Sequence, residues 1–478
     1  ERPSLPPPPF LSPSPSLPLS PSLLPPAPLP CPPIPPVRSC LSLGAARAAV
    51  VGRAQRALTG THMPSTQFDV SGLYDEHALK ASVAKPLAEL CVQVIAANFR
   101  NRPTLRGIPP RYVAAVTELL PTNLPLEVTG PLIMDEEFWQ RSSRSRWDLC
   151  QISDHGSSWK RFFFERYLSD FLEEFDPLKT ETEELLRILS ICKDYVFSVR
   201  LQQFLAHLDM EMLFQHLPLL SNLEMTYGVK HIGMNYEKAK FGMKLSDVTS
   251  LAKAIRVTET LTILSLPGNL LDDPAVRILA GGLAENTTIT ALDLSHNKIA
   301  DRGAKAIARL LDGPSVVMTL NMCDNSVHAD GGKYFGRALR GNCSLQHLNL
   351  RLNRLGDDGG RLLLDGLLEN ETLTSLNLSC NALDFNSAQA ACAALSTESA
   401  SLRTLDLSGN QFSEEAGRIL RDTISSNTSL LKLDLRLNQV LGDTMLAIDD
   451  LCKRNAVSLA EQRAAAATAA SVNANSEL

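Results

Sequence analysis

The stretch LQHLNLRLNRL, Leu345–Leu355, has six near copies in this chain. They read LTILSLPGNLL from Leu261, ITALDLSHNKI from Ile289, VMTLNMCDNSV from Val317, LTSLNLSCNAL from Leu373, LRTLDLSGNQF from Leu402 and LLKLDLRLNQV from Leu430. Each phrase carries one asparagine at the same place: Asn269, Asn297, Asn325, Asn353, Asn381, Asn410 and Asn438, at spacings of 28, 28, 28, 28, 29 and 28 residues. Leu348 and Leu350 alternate with Asn349, so both leucines point to one side of a short strand and Asn349 to the other. One such strand buries nothing by itself and needs a copy on either side.

The form L-x-x-L-x-L-x-x-N-x-L at this period is a leucine-rich repeat array. Stacked copies form a parallel sheet whose leucines fill one continuous core. The asparagines are expected to hold the ladder, each amide satisfying backbone groups where the chain leaves the strand. Between the strands the pattern is helical. Val276, Leu279 and Leu283 recur at three and four, as do Ala304, Ile307, Leu310 and Leu311. Gly303, Gly331, Gly359 and Gly417 are expected to let each helix approach the sheet closely. A full helix per 28 residues resembles the ribonuclease-inhibitor type. The predicted fold class is α/β, a curved solenoid with strands on the concave face and helices on the convex one. An eighth, degenerate unit is expected from Leu220, Leu223 and Met225, followed by an insertion over 228–241 and a helix containing Leu245, Val248, Leu251 and Ile255.

Four segments follow. Residues 1–62 hold seventeen prolines in their first 36 positions, a composition that favours extended, unpacked chain. They are read as a disordered segment or as an over-extension ahead of a start at Met63. Residues 63–218 read as mainly helical, with stripes Leu79, Val83, Leu87, Leu90, Val94 and Tyr112, Val113, Val116, Leu119, Leu120. Thr182–Leu220 is expected to continue as helix into the array. The aromatic run SWKRFFFERYL with Trp139 and Trp147 reads first as helical core and second as an exposed docking segment. Residues 219–455 form the repeats, and 456–478 an alanine-rich tail that is frayed or disordered.

Chemistry is sparse. No phosphate-binding glycine loop, H-e-x-x-H or G-x-S-x-G motif occurs, so neither an enzyme nor a cofactor is expected. His296 and His347 are two repeats apart, too weak a pairing for a metal. The ten cysteines lack any C-x-x-C pair and read as reduced thiols. A net charge of −6 leaves no nucleic-acid footprint, and no apolar run is long enough for a membrane span. The concave positions remain as a protein-binding surface: Asp293, Asn349, Asp406 and Asp434 at mid-strand, with Arg351 and Arg436 two residues on. The arginines suit an acidic partner.

Repeat consensus alone does not separate families, but Arg200–Met243, RLQQFLAHLDMEMLFQHLPLLSNLEMTYGVKHIGMNYEKAKFGM, is more distinctive. It resembles the junction before the repeats in the dynein regulatory complex subunit 5 family, also called the T-complex-associated testis-expressed protein 1 family. The aromatic segment and the repeats lie in matching order, so the likeness covers about residues 70–455. It implies a non-catalytic subunit of the nexin–dynein regulatory complex in the axoneme of motile cilia and flagella, part of the cytoskeleton. Other subunits of that complex are the implied partners, with tubulin or dynein contacted indirectly. Two other readings stand beside it. Pro125-Leu126-Glu127 ahead of the tryptophans resembles an F-box helix set of a ubiquitin-ligase adapter, at too long a spacing. Some GTPase-activating proteins share the repeat type, although no arginine here has a clear claim to that role.

Overall fold

In a computed structural model, the structure describes residues 86–476 apart from 178, 230–236, 238–239 and 398–400, with backbone only from 465 onward. The Pro-rich segment, Met63, Leu79, Val83 and most of the 228–241 insertion lie outside the described residues. Among the described residues six α-helices come first: α1 (Leu87–Asn98), α2 (Pro110–Leu119), α3 (Leu126–Leu132), α4 (Glu136–Arg146), α5 (Trp159–Glu174) and α6 (Thr182–Cys192). Their core is the aromatic run: Phe138, Trp139, Phe162, Phe163 and Phe164 are all buried. Trp139 lies against Phe163 and Phe164 with ring centroids 5.1 and 5.2 Å away, and its Nε1 donates to the Ile133 carbonyl at 3.0 Å. The core reading of this run therefore describes its inner face. Trp147 and Trp159 are half-buried, with Arg146 and Arg144 laid over their rings.

The sheet then starts earlier than the repeat phrases. Thr182–Leu220 is not one helix: α6 stops at Cys192, and Ser198–Phe204 is strand β1. Val199 and Leu201 point to the core while Arg200 does not, the period of two that a strand requires. The boundary at 218 thus moves back to Ser198. The short helix α7 (Met210–His216) leads to β2 (Asn222–Tyr227), the expected degenerate unit, with Leu223 and Met225 buried. Next come α8 (Leu245–Val257), β3 (Ile263–Ser265), α9 (Asp273–Leu283), β4 (Ala291–Asp293), α10 (Asp301–Asp312), β5 (Thr319–Asn321) and α11 (Ala329–Gly341). The chain continues through β6 (His347–Asn349), α12 (Gly356–Leu364), β7 (Ser375–Asn377), α13 (Phe385–Leu395), β8 (Thr404–Asp406), α14 (Glu414–Ser426), β9 (Lys432–Asp434) and α15 (Gly442–Ser476).

All nine strands lie parallel and in sequence order. Leu223, Leu264, Leu292, Leu320, Leu348, Leu376, Leu405 and Leu433 stand opposite one another across the ladder. Strands repeat at about 4.8 Å whereas packed helices need about 8–10 Å, so the solenoid curves with its strands inside. Two of the glycines, Gly359 and Gly417, work differently from the expectation. A Cβ on Gly359 would lie 2.8 Å from Ala329 Cα, and one on Gly417 2.6 Å from a Val440 methyl carbon. Both neighbours belong to an adjacent repeat, not to the sheet. A still closer approach joins α11 and α12, where a Cβ on Gly336 would sit 2.1 Å from the Leu362 carbonyl oxygen. The alanine-rich tail is helical as far as Ser476. The boundary at 455 falls inside α15, which runs on to Ser476, as alanine's helix propensity favours.

Candidate protein-binding surface

The mid-strand positions that sequence offered for binding stand in one row across the concave face: Asp293, Asn321, Asn349, Asn377, Asp406 and Asp434. Each uses its Oδ1 locally, accepting the N–H two residues further on at 2.8–3.1 Å. These turns close the strands. Two pairs also join neighbouring repeats. Asn321 Nδ2 donates to Asp293 Oδ2 at 2.8 Å, and Asn377 Nδ2 to Asp406 Oδ2 at 3.1 Å. Much of the hydrogen-bonding capacity of this row is thus already engaged.

The two arginines differ. Arg436 folds back on Asp434, its Nε 2.9 and 3.0 Å from the two carboxylate oxygens. Asp434, expected to face solvent, is only 8% exposed beneath it. The hydrogen bond from Arg436 holds the Asp434 carboxyl below the usual carboxylate range, against a smaller upward push from burial. Arg351 is exposed and has no ion-pair partner among the described residues. His296 pairs with Asp324 of the next repeat at 2.9 Å, while His347 lies exposed on β6. Among the described residues no three metal-ligating side chains converge. The described cysteines are unpaired, and burial pushes the Cys192 thiol up to about 12.

The asparagines of the repeat phrase face inward. Asn353 Nδ2 donates to the Met322, Leu350 and Arg351 carbonyls at 2.9, 3.0 and 3.3 Å, and its Oδ1 accepts Val327 N–H at 3.1 Å. Two of those partners, Met322 and Val327, belong to the preceding repeat. The residue before each asparagine is left-handed: Gly268, His296, Asp324, Leu352, Cys380, Gly409 and Leu437 have φ between +53° and +68°. Five of these seven carry a side chain in a region that favours glycine.

Sequence reasoning missed two further devices. A second asparagine series, Asn286, Asn342, Asn370 and Asn427, stands at or just past the ends of convex helices, and Asn455 makes similar bonds from within α15. Asn342 Nδ2 reaches the Leu311 carbonyl at 2.8 Å, and its Oδ1 accepts Ser344 and Leu345 N–H. Its signal was present as Asn-x-Ser/Thr followed by Leu or Ile, in NTTI, NCSL, NETL and NTSL. The other device closes the first edge of the sheet. Glu165, Ser169 and Glu173, spaced four apart on one face of α5, reach the outer N–H groups of β1. Glu165 Oε1 accepts Phe197 and Ser198 N–H, each at 2.8 Å. Ser169 Oγ lies 3.4 Å from Arg200 N, and Glu173 Oε1 accepts Gln202 and Gln203 N–H. Glu165 is 1% exposed and is further held by Arg161 and His155.

Comparison with known proteins agrees with this architecture. The family described as Leucine Rich repeat matches residues 285–308, 341–364, 369–390 and 426–444, and a second Leucine Rich Repeat description matches 401–422. A 196-residue stretch is 46% identical to "Dynein regulatory complex subunit 5" of Chlamydomonas reinhardtii, covering 40% of this chain and 50% of that protein. Over this stretch the chain, built of leucine-rich repeats, is similar to dynein regulatory complex subunit 5. The protein of the same name from Mus musculus is 36% identical over 228 residues, covering 42% of this chain and 46% of its own length. The chain thus spans about half the length of the curated relatives it matches. A solved internalin from Listeria monocytogenes shares 17% identity and a TM-score of 0.33 over 55% of this chain and 61% of that one. That low score adds nothing to what the strands and helices show by themselves.

Proposed function

We propose that this chain is a non-catalytic interaction subunit of the nexin–dynein regulatory complex. It would work in the axoneme of motile cilia and flagella, where the complex links doublet microtubules and regulates dynein-driven motility. The observation that carries this reading is the 46% identity with the Chlamydomonas protein of that name. The array itself supports a scaffold. Its asparagines, its mid-strand carboxylates and the α5 glutamates are all engaged in holding backbone. Among the concave side chains Arg351 is left exposed and unpaired. Its partners in this reading are other subunits of the complex, with tubulin and dynein contacted indirectly.

The test is fractionation of detergent-extracted axonemes from cells expressing a tagged full chain. Retention with the axonemes and co-precipitation of the other complex subunits are expected, and Arg351→Glu should weaken retention without lowering the unfolding midpoint. Release into the soluble fraction with ubiquitin-ligase components, or stimulation of a small GTPase, would overturn the proposal.

A further inference from the structure

The convex face carries a basic patch that no Lys/Arg run announces. Arg277, Lys305 and Lys333 occupy one repeat position on the successive helices α9, α10 and α11, each 28 residues after the last. Arg309 and Arg337 share a second position in the same way, and Arg340 lies one turn beyond. Five of the six are exposed, with Lys305 half-buried. No carboxylate among the described residues lies within ion-pair distance of any of them. Lys305, Arg309, Tyr334 and Arg337 line a shallow groove of about 250 Å³ between α10 and α11, where Lys305 Nζ sits 4.9 Å from the Tyr334 ring centroid. Asp312 also lines this groove without pairing to its cations, and Asp330 is exposed on α11.

The row of cations continues beyond α11 but is neutralised there. Arg361 on α12 turns to Asp365 at 3.2 Å, and Arg418 on α14 turns to Glu414 at 3.1 Å. Along this row of repeat positions, unpaired positive charge falls on three adjacent helices, α9, α10 and α11, roughly 20–30 Å across at ordinary helix spacing. We infer that this patch binds a short carboxylate-rich segment of a partner protein. Arginine predominates, and its planar fork matches a carboxylate in two hydrogen bonds. The patch belongs to a chain of net charge −6 and is flanked on its C-terminal side by exposed Asp358 and Glu369. A long polyanion such as duplex DNA would run into those acids, whereas a segment of a few residues would not. The inference does not depend on membership of a dynein regulatory complex.

The full chain should bind a fluorescein-labelled glutamate-rich dodecapeptide, read by anisotropy at low salt, with affinity falling as salt screens the charges. Replacing both Arg309→Glu and Arg337→Glu should weaken binding by about tenfold or more, since like charges are then juxtaposed. The milder pair Arg309→Gln and Arg337→Gln should fall between and keep the unfolding midpoint, which decides the matter if the reversal variant misfolds. Absence of binding at low salt, equal binding by the Gln pair and the parent, or a preference for duplex DNA or phosphatidylserine vesicles over the peptide would each overturn the inference.

Discussion

Replacing Glu165 with alanine tests whether α5 closes the open edge of the sheet. The wild-type carboxylate satisfies two backbone N–H groups of β1, at Phe197 and Ser198, and both hydrogen bonds are 2.8 Å long. Ser198 is 4% exposed and Glu165 itself 1%, so water cannot easily replace the lost acceptor. A buried donor left unpaired costs about 1–3 kcal/mol. Discounting Phe197, which is half-buried, Glu165→Ala should lower stability by about 2–4 kcal/mol. Glu173→Ala also strands two N–H groups, at Gln202 and Gln203, but Gln202 is exposed and water takes over. That variant should lose under about 1 kcal/mol. Urea unfolding gives the size of the effect, and hydrogen exchange gives its place. Because repeat arrays transmit stability mainly between neighbours, β1 and β2 amides should lose protection before those of β8. Equal losses in the two variants, or unchanged protection in β1 after Glu165→Ala, would refute the edge-closing role.

Three further outcomes follow from the same geometry. Asn353→Ala removes one acceptor and one amide shared by three carbonyls, and should cost about 2–4 kcal/mol in urea unfolding. Asn438→Ala, half-exposed in the last repeat, should cost clearly less. Gly336→Ala places a methyl group 2.1 Å from the Leu362 carbonyl oxygen, so it should destabilise by about 1–3 kcal/mol or more through overpacking. Gly281→Ala, which meets nothing within 4 Å, is the matched control and should hold or raise the midpoint. Asp357 contributes to the acid limb of stability. Burial pushes its carboxyl up, but hydrogen bonds from Ser387, from Asp384 N–H and from Asn386 outweigh that push and hold it below the usual range. Its native value is depressed, so the stability it contributes is complete above the unfolded carboxylate value and fades as pH falls through the native one. Asp357→Asn should therefore flatten the fall in unfolding midpoint between about pH 5 and pH 2.

The regular part of the molecule was legible because its signal is redundant. Seven copies of a period-two phrase fix strand direction, register and the inward face of each leucine, and even the irregular strand at Leu223 keeps that alternation. Strand β1 escaped because it does not share the phrase. Val199 and Leu201 alternate, yet they follow the helical stripe Leu185, Leu189, Cys192 without a breaking proline or glycine. The glycines were seen, but sequence cannot say whether a missing Cβ faces a sheet or the next helix. Site residues were the least legible. Asp434 and Arg436 occupy matching positions in the phrase to Asn349 and Arg351, but Asn349 offers no charge to draw Arg351 back. One side-chain difference thus separates an engaged arginine from a free one. The convex basic patch was invisible to a search for runs because its cations lie a whole repeat apart.

The helix-ending asparagines carry one more implication. Asn286, Asn342, Asn370 and Asn427 each stand first in an Asn-x-Ser/Thr triplet, the acceptor sequence for N-linked sugars. Their Nδ2 atoms are the donors that reach the Ile255, Leu311, Leu339 and Leu395 carbonyls. An oligosaccharide attached there would replace a hydrogen on that nitrogen and force a bulky group between packed helices. A sugar at these triplets would therefore disturb the helix packing that the asparagines complete.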